Sequence, residues 1–330
     1  MNFYFHFFIF LIILFFYIHI VHQYKRSEDL EIYELEYSSN TNLQEVCDVK
    51  QPILFEYKSI IPEFFENFTY DHLLDQEYSS YDVRVKETAD YYMENSTDIS
   101  IDYAILPYSS ASSLMKSDPK SAYFSENNEE FLEESGLVKK MQLNDSYLKP
   151  SFTIHTKYDI MIGSCGAITP LRYHTNYRYF LCVNSGKIRV KMTPWKTSKY
   201  LYPLKDFENF EFYSPINVWK PQYKYRHETD KIKFLEFDVM EGYMISIPPY
   251  WWYSIEYDSQ KDTLVCGFTY NSVMNIISNA PLWVKYYIQQ NNIKKRIAKV
   301  IKEIDENENN NENDDVDNNV DNNNASIKLV

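Results

Sequence analysis

The sequence predicts an all-β core with flanking helices, preceded by an apolar N-terminal segment and followed by an acidic tail. Two stretches carry this reading. Residues 163–195, GSCGAITPLRYHTNYRYFLCVNSGKIRVKMTPW, and residues 241–254, EGYMISIPPYWWYS, each read as strand–turn–strand. Apolar and polar side chains alternate in Lys187–Met192, and strand-stopping residues (Gly186, Pro194, Gly242, Pro248-Pro249) stand at the ends. The same period-2 pattern recurs in Tyr81–Val85 and Ile232–Phe237.

Taken in order, residues 3–21 (FYFHFFIFLIILFFYIHIV) hold no charged residue. As a helix rising about 1.5 Å per residue they match the hydrocarbon thickness of a bilayer. We read residues 1–24 as a single-pass membrane anchor. A cleaved signal peptide is the alternative, but no basic residues precede the run and no small-x-small site follows it. Lys25 and Arg26 follow the span and none precedes it, which favours a cytosolic body. Sequons at Asn67, Asn95, Asn144 and Asn324 match what an Asn-rich chain yields by chance and do not set the topology. Residues 25–44 are polar and acidic without a sustained period, as in a linker.

The body is expected over 45–275. Gln51–Tyr57 reads as a strand, Pro62 opens a short helix or turn, and residues 86–120 carry little signal. Ser125–Gly136 reads as a helix with Ser125 as N-cap, acids near the N-terminal end and Gly136 past the C-terminal end, its acid run a solvated face. Ile160–Gly163 and Thr263–Phe268 are further strands. Helices are expected over 276–304, where Ile293, Ile297, Val300 and Ile304 form an apolar stripe that packs on the body or pairs two copies as a homodimer. From 305 to 330 the chain is dominated by Asn, Asp and Glu, the composition of a disordered tail.

The net charge of −14 over 330 residues argues against a nucleic-acid-binding body. Four cysteines (Cys47, Cys165, Cys182, Cys266) lack metal-site spacing, and Cys182 and Cys266 fall in apolar strands as buried free thiols.

Thr169-Pro170, the Gly186-Lys187 hairpin and Pro248-Pro249-Tyr250-Trp251-Trp252 together resemble the Jumonji-C-type cupin family, the Fe(II)/2-oxoglutarate oxygenases and their relatives. The phrases FSENNEEFLEE, SKYLYPLKDFENFEFYSPIN and IPPYWWYSI further resemble cupin-like proteins of giant DNA viruses. The likeness covers most of residues 45–300 and implies a double-stranded β-helix (jelly-roll cupin), with a virion or host membrane as its place.

The resemblance also locates a metal triad, and there the sequence departs from the family. The first His position holds Arg172, the Asp position holds His174 and the last His position holds Tyr253. Arg has no lone pair to offer a metal, and a phenol with a pKa near 10 is a poor Fe(II) ligand at neutral pH. Arg172 sets a fixed positive charge that opposes a cation and suits an anion. Thr169 matches a position that the resemblance associates with 2-oxoglutarate; its lysine partner falls near Lys187, where one residue of register shift breaks the match and where Lys187 and Arg189 read first as exposed strand charges. No cofactor is expected, with Fe(II) and 2-oxoglutarate reserved for an active hydroxylase with non-standard ligands. A rearranged site drawing on His155, His174 or His227 is a further alternative to a hydrogen-bonded core histidine at 174.

Overall fold

The computed structural model describes residues 2–93 and 101–292. Its strands are β1 (Tyr33–Glu34), β2 (Ile53–Glu56), β3 (Asp82–Glu87), β4 (Ala104–Pro107), β5 (Tyr123–Ser125), β6 (Thr153–Gly163), β7 (Arg172–Tyr173), β8 (Arg178–Ser185), β9 (Lys187–Thr193), β10 (Leu204–Asp206), β11 (Glu211–Tyr213), β12 (Leu235–Met240), β13 (Tyr243–Ser246), β14 (Trp252–Tyr257) and β15 (Leu264–Ser272). They form a large sheet ordered β1-β2-β13-β8-β15-β6-β5-β3-β4 and a small one ordered β10-β11-β7-β14-β9-β12.

Side-chain alternation divides the apolar residues into three layers. Leu181, Val183, Ile188, Val190, Met192, Ile245, Ile255 and Val265 fill the space between the sheets. The residues beside them in sequence face outward. Phe180, Cys182, Cys266 and Phe268 pack under Phe64, Phe65, Met115, Phe131 and Leu148 from the helical segments on the large sheet. Tyr173, Phe212 and Trp252 pack under Leu201, Ile216, Val218 and Ile232 on the small one. This is a jelly-roll sandwich, as the alternating pattern implies. The two strand–turn–strand stretches supply β7, β8 and β9, and β13 and β14. The β8–β9 turn uses Gly186 at φ +72, where an added Cβ would stand 2.9 Å from the Asp262 carbonyl oxygen. Cys182 and Cys266 are register partners, both buried and both free.

Three expectations need correction. Residues 25–44 are not a loose linker. Tyr33 and Glu34 pair in parallel with Ile53 and Leu54, Leu35 and Tyr37 pack on the core, and Lys196 Nζ donates to the Glu28 carbonyl at 2.8 Å. The apolar residues of this stretch are few but spaced at i, i+2, which the surrounding acids mask. The helix expected from Ser125 starts later, at Glu129. Asn127 sits at φ +61 and interrupts it, while Ser125 ends β5 with its hydroxyl accepting from Asn128 Nδ2. Residues 273–275, expected to end the β body, instead open the helix Val273–Ser278, capped by the Ser272 hydroxyl.

The N-terminal helix runs Asn2–Gln23, and the segment Phe3–Gln23 is long and apolar enough to cross a membrane. Burial begins only in its last turns, at His19, Ile20 and Gln23. Its foot is held on the body. The Arg26 guanidinium lies 4.4 Å from the Trp195 ring centroid and 4.2 Å from that of Tyr250, and Tyr24 OH donates to the Ser278 carbonyl. The helix Ala280–Asn292 ends the described part, so the apolar stripe beyond it and the acidic tail lie outside the described residues.

Candidate functional site

Strand β7 places Arg172 directly opposite Tyr253 of β14, so both point into the space between the sheets. Two residues on from Arg172, His174 faces the same way, its ring centroid 6.2 Å from that of Tyr253. All three are buried. The positions that the resemblance assigns to a metal triad are thus brought together.

Each of the three is already engaged. Arg172 Nη1 donates to Glu126 Oε1 at 2.5 Å and Nη2 donates to Glu126 Oε2, a two-point contact. Glu126 also accepts from Lys86 Nζ at 3.2 Å. Lys86 in turn donates to Glu211, which accepts from Tyr91 OH at 2.9 Å and Asn127 Nδ2 at 3.2 Å. The result is a buried set of two cations and two carboxylates with no net charge. Burial alone would push the Glu126 carboxyl up, but Arg172 and Lys86 outweigh it and hold the group well below the usual carboxylate range. Burial would likewise lower Lys86 and Arg172, and the facing glutamates raise both instead. Arg172, Lys86 and Glu126 stay ionised. The anion that Arg172 attracts is supplied by its own chain.

His174 is held through both ring nitrogens. Nε2 lies 3.0 Å from the Ile247 carbonyl oxygen, and Nδ1 lies 3.2 Å from the Asn176 amide. One nitrogen therefore carries the hydrogen and the other spends its lone pair on Asn176, leaving none for a metal. Burial pushes this imidazole down to about 3, against the Ile247 carbonyl and with help from Arg172, so it is neutral. Tyr253 is pushed up by burial, against the pull of Arg172, and stays a phenol. The cation–π approach of Arg172 to the Tyr253 ring, 5.5 Å, closes the cluster.

The other candidates lie elsewhere. Thr169 is fully buried, but its hydroxyl accepts from the Ile255 amide at 2.9 Å and its carbonyl accepts from the Ser254 hydroxyl at 2.6 Å, stitching two strands together. Lys187 lies on the outer face, as its reading as an exposed strand charge expects, and not at an interior position for 2-oxoglutarate. It is part-exposed and 3.8 Å from Asp238, in an outer groove shared with Arg189 and Glu256. The interior position beside it is Ile188, which cannot hold a carboxylate. His155 is exposed near the start of β6 and His227 is exposed on the short helix Arg226–Thr229, so neither joins His174 in a rearranged site.

Among the described residues no three His, Cys, Asp or Glu side chains are grouped to hold a metal ion. The donor chemistry at the three positions, a guanidinium on a carboxylate, an imidazole with both nitrogens used and a neutral phenol, does not fit Fe(II). Sequence reasoning missed Lys86 and Tyr91, Glu126, and Glu211, which come from three separate parts of the chain and share no local spacing.

A comparison with curated proteins finds no match. Residues 65–280 match the family described as a cupin-like domain, and with most of its length inside that match the chain belongs to that family.

Proposed function

We propose that this is a membrane-anchored cupin-like protein that works as a binding or structural module and not as a 2-oxoglutarate-dependent oxygenase. The observation that carries the reading is the Arg172–Glu126 pair with Lys86 and Glu211, which occupies the interior where the family resemblance sets a metal. A buried, charge-balanced cluster of this kind is stable only while complete, and a divalent cation would have to displace Arg172 or Lys86 from the carboxylates they hold. The apolar helix before the body supports the anchor, and the likeness of SKYLYPLKDFENFEFYSPIN and IPPYWWYSI to cupin-like proteins of giant DNA viruses supports a viral membrane as its place.

Metal analysis of the purified full-length chain in detergent, with succinate release from 2-oxoglutarate measured alongside, tests the reading. We expect iron far below one per chain and no succinate above a protein-free control. Stoichiometric iron with succinate release establishes the alternative, an active hydroxylase with non-standard ligands.

A further inference from the structure

We infer that the body does not hang beneath its anchor but rests on the bilayer, through an apolar edge built from the Phe152 turn, Ile154 and the exposed side of the helix Val273–Ser278. The inference rests on residues 3–23 being a membrane span and adds the surface on which the body lies.

Three observations place this edge. The span touches the body at the helix Val273–Ser278, and Tyr24 just beyond it bonds to Ser278. Since burial of the span starts at His19, the bilayer boundary falls beside that helix and not a linker length away. Thr153 at the start of β6 is the register partner of Ser272, the cap of the same helix, so the turn before β6 opens at this end of the sandwich. The side chains presented there are apolar. Phe152 is 87% exposed and Ile154 59%, while Val273 and Ile277, four apart on one helix face, are each 39% exposed. Phe152 adopts φ +60, a conformation that bulky L residues avoid, and the strain holds an aromatic ring out in solvent at the tip of a turn. An exposed aromatic on a strained turn, beside the exit of a membrane helix, suits the interfacial zone where such rings partition. A second copy of the chain is the competing occupant. It is disfavoured because the apolar N-terminal helix itself packs on Val273–Ser278, which brings the bilayer and not a second body to this edge.

Replacing Phe152 by Trp places a reporter at the tip. The full chain is reconstituted into phosphatidylcholine vesicles with and without bromine-labelled acyl chains, and quenching is read as the difference from wild type. The control is Gln260→Trp, in the exposed turn before β15, about 25 Å along that strand from Ser272. We expect the Phe152→Trp emission to fall at least twofold with brominated lipid and the Gln260→Trp emission to stay unchanged. If the chain floats with the vesicles and Phe152→Trp is not quenched, the resting surface is wrong and the anchor stands. Unquenched Phe152→Trp with a concentration-dependent dimer assigns the edge to a second copy. If the wild-type chain does not float, both readings fall.

Discussion

Arg172 and Glu126 meet inside the sandwich by two parallel N–H···O contacts, 46 residues apart in sequence. Glu126 also carries Lys86, so the carboxylate balances two cations at once. Glu126→Gln keeps the shape and removes that charge. Removing one partner of a buried pair costs about 3–5 kcal/mol. We expect a loss of that size in urea unfolding. Combining it with Arg172→Met should cost clearly less than the sum of the two single variants, and simple additivity would mean that the two residues act independently.

The acid limb of stability is expected to separate two groups of opposite sign. His174 titrates near 3 in the fold because of its burial, below the ~6.5 of an unfolded histidine. The unfolded chain takes up that proton first, so its contribution is complete above about 6.5 and is lost as pH falls toward 3. Asp159 works the other way. Burial lifts its carboxyl to about 6, against Lys157 and the backbone amides of Asn128 and Asn127, so its contribution is present in acid and fades as pH rises through 6. Between pH 4 and 6 the slopes oppose. Unfolding free energies from urea titrations across that window should rise with pH in Asp159→Asn and fall with pH in His174→Gln, each by up to about 1.4 kcal/mol per pH unit.

Gly163 closes β6 against the ring of Tyr257, and an added Cβ would stand 2.4–2.8 Å from three ring carbons. Gly163→Ala is expected to lower stability by about 3 kcal/mol, since the ring is buried between the sheets and has nowhere to retreat. Gly163→Ala/Tyr257→Leu should recover part of that loss in the same thermal melt.

Deleting residues 2–18 is expected to turn a carbonate-resistant membrane protein into a soluble one with little change in melting temperature. Extending the deletion through Arg26 removes the guanidinium from between Trp195 and Tyr250 and should cost a further ~2 kcal/mol. Equal melting temperatures for the two truncations would show that the foot of the helix contributes nothing to the body.

Restoring the family pattern with Arg172→His, His174→Asp and Tyr253→His sets two imidazoles and a carboxylate on three converging positions. Binding of about one iron per chain is expected if Glu126→Gln is added, because Arg172→His leaves Glu126 with one cation in place of two. A folded, iron-free variant would place the cavity on other residues.

The strands and the convergence of 172, 174 and 253 were legible because they depend on side-chain parity and on short motifs such as Pro248-Pro249-Tyr250-Trp251-Trp252. What filled the site was not. Lys86 lies just past the alternation of Tyr81–Val85, Glu126 belongs to an acid run with the pattern of a solvated face, and Glu211 follows an aromatic. Nothing local distinguishes a glutamate that meets an arginine from one that meets water. Lys187 shows the same limit in its sharpest form, because a shift of one residue exchanges the interior for the outer face.

The path of residues 25–44 along the body has a mechanical consequence. A flexible tether would let the domain sample a hemisphere of tens of ångströms and reach targets at many heights. Here the chain leaves the apolar helix, docks Arg26 and pairs Tyr33 with Ile53. In the membrane-anchored reading proposed above, the protein is a low pedestal of set height and tilt. That reading confines its encounters to lateral diffusion in the plane, with partners whose own reach matches that height.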